Sequence, residues 1–212
     1  MAKTKETAQA EEKSEKEKEA DLYPKLAQFC GSIGIKTLTV MVQGGNCGVG
    51  GENEWRYPDV VGFKDIAAEQ EEYTQELMTA LGASRSELYS FEVKSGKIKQ
   101  SNLRKFVLQA AGNSSWANCS YLVAEGVTER AKPSLKELCE TFSLGFISLN
   151  RETPEKSEIV FEAPKTGLNW SAINKLAEIS EEFQRYTEYV VAETKRFENP
   201  NLVEPEWNSI ER

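Results

Sequence analysis

The sequence predicts an α/β fold: a mixed central sheet flanked by helices on both faces, with a long C-terminal helix. Three observations carry this. Short runs rich in β-branched and aromatic residues alternate with segments of helical period. The order reads helix, three strands, helix, strand, helix, strands, helix, so an antiparallel meander precedes the strands reached by helical crossovers. At 212 residues and 39% hydrophobic, the chain is long enough to bury a core.

Residues 1–20 alternate Lys and Glu with almost nothing apolar, and are read as a disordered or frayed charged tail. Residues 21–166 form the expected α/β core, and residues 167–212 a C-terminal helix and tail that pack on it. Leu22, Leu26 and Phe29 share one helical face, which Gly31 to Gly34 should end. Thr37 to Val42 is β-branched and reads as a strand. A glycine-rich connection follows. It lacks the Gly-Lys-Ser/Thr and the helix of a phosphate-binding loop, so it reads as a turn between strands. Trp55 to Phe63 is the second strand, Ile66 to Leu81 a helical segment, and Leu88 to Lys94 the third strand. From Ser101 to Ala111, the residues Leu103, Phe106, Val107, Ala110 and Ala111 make an apolar helical stripe, with Gly112-Asn113 as the expected stop. Cys119 to Ala124 reads as a buried strand, Ser134 to Phe142 as a helix, and Gly145 to Leu149 and Glu158 to Glu162 as short strands. One long amphipathic helix is expected from Asn169 to the Asn199-Pro200 stop.

Several function classes are excluded early. There is no histidine, which removes the usual base for Ser114 or Ser115 as nucleophiles and any mixed Cys/His zinc site. Cys30, Cys47, Cys119 and Cys139 form no C-x-x-C pair and read as reduced thiols. The net charge is −8, of which the first 21 residues supply −2. That balance counts against unspecific coating of nucleic acid. No apolar run approaches the roughly 20 residues of a membrane span, and the N-terminus has no apolar signal segment, so no membrane partner is expected and the location reads as cytoplasmic.

The chemistry concentrates in YPDVVGF and LYSFEVKSG. Side chains alternate across a strand, so Ser90, Glu92 and Lys94 share one face, and Tyr89, Phe91 and Val93 the other. A charged pair in the middle of such a strand must be paired or bind metal. Asp59 sits in an equally apolar run behind Pro58, which removes a ladder donor and opens the strand. On neighbouring strands, Asp59 and Glu92 converge on one hard cation, for which Mg2+ (with Mn2+ as substitute) is the natural choice, and the main-chain carbonyl of Val93 is a further ligand. Lys94 then positions the attacking water or helps deprotonate it. The bland counterpart is an ion pair that only joins two strands.

Pro58-Asp59 followed by Glu92-Val93-Lys94 resembles the PD-(D/E)XK nuclease superfamily. The stretches DLYPKL, WRYPDVVGF, LYSFEVK, GNSSWAN and SYLVA are similar to an uncharacterised HrgA-type, restriction-associated bacterial family. The resemblance implies a restriction-endonuclease-like fold and Mg2+-dependent hydrolysis of DNA phosphodiesters, in a restriction or phage-defence setting. It implies an acidic residue in the first helix, for which Glu19 and Asp21 are the candidates, and a supporting glutamine, Gln109. Many such nucleases act as dimers, so a homodimer through the C-terminal helix is expected, or a separate specificity or defence subunit.

Lys97 and Lys99, with Arg104 and Lys105, make a small basic cluster for phosphate contact. Asn113, Ser114 and Trp116 are candidates to line a substrate groove, Trp116 by stacking on a base; the other reading of Trp116 is core packing. The competing functional reading is a non-cleaving nucleic-acid-binding or regulatory module of a defence or repair assembly. A hydrolase of RNA or of small phosphorylated molecules is the third.

Overall fold

Six strands form one mixed sheet in the order β1-β2-β3-β4-β5-β6, in a computed structural model that describes residues 16–40 and 57–208. They are β1 (Lys36–Thr39), β2 (Val60–Asp65), β3 (Ser86–Lys94), β4 (Cys119–Ala124), β5 (Gly145–Ser148) and β6 (Glu158–Phe161). The helices are α1 (Tyr23–Ser32), α2 (Glu72–Ala80), α3 (Leu103–Ser114), α4 (Lys132–Phe142), α5 (Trp170–Ile179) and α6 (Glu181–Glu198). Pairing is antiparallel through β1, β2 and β3, parallel from β3 through β5, and antiparallel again to β6. The parallel steps use α3 and α4 as crossovers, as the strand–helix alternation requires. The first 15 residues of the expected tail, the glycine-rich connection with Cys47, and residues 41–42 and 55–56 of two expected strands lie outside the described residues.

β3 and β4 are buried on both faces, which is why β4 reads as a nearly continuous apolar run and why the polar face of β3 is itself buried. On one face, Leu22, Leu26, Phe29 and Cys30 of the α1 region pack against Val60, Phe91, Val93, Tyr121 and Val123. On the other, Leu103, Val107 and Ala110 of α3 meet Leu122, Ala124 and Phe146 together with Leu135 and Cys139 of α4. Phe183 and Tyr186 of α6 cover Leu38, Val40 and Val61 on β1 and β2. The Tyr186 hydroxyl donates to the Gly62 carbonyl at 2.7 Å. A Cβ on Gly62 would stand 2.9 Å from Ile35 Cγ2, so the close approach there requires glycine.

Several boundaries differ from the sequence expectation: the second strand is Val60–Asp65, so Pro58 and Asp59 precede it, and three other differences have a clear local reason. The segment at 66–81 is helical only over α2, because the Asp65 carboxylate accepts from the Ala67 and Ala68 amides at 3.0 and 3.3 Å and holds a turn. The helix expected to stop at Gly112-Asn113 continues to Ser114, since the Asn113 and Ser114 side chains bond to β3 instead of capping. The single C-terminal helix is two. Ser180 takes an extended conformation (φ −136°, ψ 115°), and its Oγ accepts from the Phe183 amide at 3.1 Å, so it caps α6 with Glu181 and Glu182 in the first turn. Ser180→Ala is expected to lower stability by about 1 kcal/mol in urea unfolding. An unchanged midpoint would mean that the break is held by tertiary packing alone.

Candidate active site

The end of the β2–β3 pairing brings the nominated acids together. The pairing ends with Val60 opposite Phe91, which leaves Asp59, the residue just before Val60, beside the Glu92–Lys94 end of β3. Pro58 has no amide for a ladder, and Asp59 sits in a bend just before β2. Its carbonyl still accepts from the Val40 amide at 3.0 Å. Its Oδ2 accepts from the Val93 amide at 2.8 Å. The N–H and C=O of one residue leave an extended strand by the same edge, so the Val93 carbonyl opens toward Asp59 as well.

Glu92 is 2% exposed and Lys94 6%. Lys94 Nζ lies 2.8 Å from Glu92 Oε1 and 3.6 Å from Glu19 Oε1. It also stands 5.8 Å from the Phe106 ring centroid on α3. Asn113 Nδ2 donates to Glu92 Oε2 at 2.8 Å. One residue on, Ser114 Oγ accepts from the Ser90 hydroxyl at 3.1 Å, which fixes the last turn of α3 along β3. From α1, the Tyr23 hydroxyl hydrogen-bonds the Asp59 carboxylate. Three carboxylates, Asp59, Glu92 and Glu19, therefore gather around the Lys94 ammonium, with Lys16 a weaker cation near Asp59.

This excess of negative charge in a buried place shapes every proton affinity in the cluster. Burial, followed by the Asp59 charge, pushes Glu92 up from 4.5 to about 7, against the pull of Lys94 and Asn113. Burial also raises Asp59, opposed by Lys94, the Val93 amide, Tyr23 and, more weakly, Lys16. For Lys94, burial alone would favour the neutral amine, but Glu92, Asp59 and Glu19 outweigh it and hold the ammonium well above its ordinary value. The Tyr23 phenol is raised by burial and by the carboxylates, so its hydroxyl stays a donor. Lys94 is thus a fixed cation at neutral pH, and Glu92 is the member whose proton moves there.

The other nominated residues divide. Asn113 belongs to the cluster through Glu92, and Ser114 is buried beside it in a structural contact. Gln109 is buried one helical turn before Asn113, and its Oε1 has no hydrogen-bond partner. Trp116 does not stand free to stack on a base. It is 1% exposed, with Phe183 edge-on at 5.0 Å and Tyr186 at 5.8 Å, so core packing accounts for it. Lys97, Lys99, Arg104 and Lys105 are all exposed around the start of α3. Of the two first-helix candidates, Glu19 reaches Lys94, whereas Asp21 is exposed and feels Arg151. Tyr23 was not among the nominated residues. Its signal was present, because Glu19 and Tyr23 are four apart and form a polar stripe beside Leu22 and Leu26.

Among the described residues, no group of three or more His, Cys, Asp and Glu side chains is arranged to hold a metal ion, and no helix is long and apolar enough to cross a membrane. No protein-family model and no curated protein matches the chain. A solved structure described as SPO1766 protein of unknown function from Silicibacter pomeroyi is similar over 84% of this chain and 90% of that one, at 13% identity and a TM-score of 0.39. That likeness is too loose to carry a fold assignment or a function.

Proposed function

We propose that the chain is a restriction-endonuclease-like, Mg2+-dependent nuclease that hydrolyses DNA phosphodiesters at the Asp59–Glu92–Lys94 cluster. The reading rests on one observation: Asp59 accepts from the amide between Glu92 and Lys94, and Lys94 contacts Glu92, so all three meet at one point. The residues suit a small hard cation. Mg2+ takes one or two carboxylates and fills its remaining positions with water and phosphate oxygen, so Asp59, Glu92 and the Val93 carbonyl are a sufficient protein share. The surplus of carboxylate over ammonium is the charge such an ion neutralises. When bound, it supplies charge stabilisation at the phosphate and a more acidic water.

The chain's own groups do the rest. Lys94, held as an ammonium by the carboxylates around it, orients the water and stabilises charge growing on the phosphate. Asn113 fixes one Glu92 oxygen, and Tyr23 with the Val93 amide fixes Asp59, so both carboxylates are set before substrate arrives. Gln109 offers an unused buried acceptor one turn away. The exposed Lys97, Lys99, Arg104 and Lys105 provide backbone contact on an otherwise acidic protein.

The acidic balance favours the second reading, a non-cleaving module. Purified protein with plasmid, linear duplex and single-stranded DNA, in Mg2+, Mn2+ or chelator, separates the two. The expected result is metal-dependent cleavage that falls by about 10²-fold or more in Asp59→Asn. Metal-independent binding without any cleavage would leave the module reading in its place.

A further inference from the structure

We propose that the exposed face of α2 is a docking surface for a partner's amphipathic helix whose apolar stripe is flanked by lysine and arginine. The inference does not rest on the nuclease reading. None of the nine residues of α2 is buried. Tyr73, Leu77 and Leu81 are 73%, 57% and 73% exposed, and their four-residue spacing lines them up as one stripe. A helix this short is marginal in water without a tertiary contact, and only Thr74, Gln75 and Met78 of this one are half-buried. Three large apolar side chains at successive turns make a ridge on which a partner helix packs its own apolar stripe.

Charge selects the occupant. Between residues 66 and 84 the sequence holds Glu69, Glu71, Glu72 and Glu76 and no lysine or arginine. Lys64 neutralises Glu69 at 2.8 Å, and the other three are uncompensated. Glu72 and Glu76 run along one side of the stripe. A second copy of the same face would set one acidic row on another, and DNA or an anionic lipid surface would be repelled; a basic rim is attracted. The position also suits an accessory contact. α2 is inserted between β2 and β3 beyond the Asp65–Ser86 pair, whereas Asp59 and Lys94 lie at the opposite end of the same two strands. A partner seated on α2 leaves the acid–lysine cluster uncovered.

The test uses the full chain and a labelled amphipathic helical peptide of leucines and lysines, with a shuffled peptide of identical composition as control. Fluorescence anisotropy is expected to show the patterned peptide binding about tenfold or more tightly than the shuffled one. Leu77→Ser/Leu81→Ser is expected to remove that preference while leaving the urea midpoint unchanged, since both side chains are exposed. Glu72→Gln/Glu76→Gln should weaken binding and flatten its salt dependence. Equal binding of both peptides, no binding, or indifference to the leucine substitutions overturns the proposal. So does sedimentation showing a dimer that Leu77→Ser/Leu81→Ser dissociates, which would assign the face to a second copy.

Discussion

Lys94→Met is expected to destabilise the metal-free protein by about 3–5 kcal/mol at about pH 8, and to reduce metal-dependent cleavage by roughly 10²–10⁴-fold. The stability loss does not measure the worth of an ion pair. It arises because Asp59, Glu92 and Glu19 lose the buried cation that Lys94 sets among them. Lys94 has its proton affinity raised on folding, so its contribution is fully present below its ordinary value and is lost only as pH climbs through the elevated folded one. At neutral pH the whole term is therefore at stake. The damage should shrink on acidification, because the stranded carboxylates then take up protons and cease to repel. Urea unfolding at about pH 5 and about pH 8 reads this directly. Wild-type stability at about pH 8 would show that Lys94 is not the charge holding the cluster together.

Glu92→Gln should act in the opposite direction on stability while abolishing cleavage. Glu92 is held at about 7 in the folded protein against an ordinary 4.5. A raised carboxyl affinity means that the folded state binds the proton more tightly than the unfolded one. Stability from this group therefore falls as pH rises from about 4.5 to about 7 and stays low above that, by roughly 3 kcal/mol at most. Glutamine removes that penalty. Its amide can still accept from Asn113, and Lys94 keeps Asp59 and Glu19 as partners. The expected gain is about 1–3 kcal/mol at about pH 8, vanishing below about pH 4. Mg2+ should raise the melting temperature of the wild type and not of Glu92→Gln. A variant less stable than wild type at about pH 8 would sink the account of a strained, over-acidic cluster.

Asp59, Glu92 and Lys94 were legible because strand alternation is a rigid rule and charge in an apolar strand demands an explanation. The six-stranded mixed sheet was legible for the same reason, since the β-branched runs and their spacing admit few pairings. Other parts required the third dimension. The apolar period continues across residue 180, so it hid the break between α5 and α6, although Ser180-Glu181-Glu182 is a helix-start pattern. Asn113 carries an ordinary stop signal, and only its distance to Glu92 shows that it faces inward. Trp116 reads equally as groove or core until Phe183 and Tyr186 are seen around it. The link between Lys36 and Glu193, at 2.8 Å, joins residues 157 apart, and no local pattern announces it.

That last kind of contact bears on the order in which the chain matures. Asn208 donates its amide to the Thr37 carbonyl at 2.8 Å and its Nδ2 to Thr39 Oγ1 at 2.9 Å, along the free side of β1. Trp207 stacks on Phe63 at 6.0 Å in the same region. During translation β1 consequently emerges well before Trp207 and Asn208, the latter 169 residues beyond Thr39. Until those residues arrive, the outer amides of β1 are a template for the wrong neighbour.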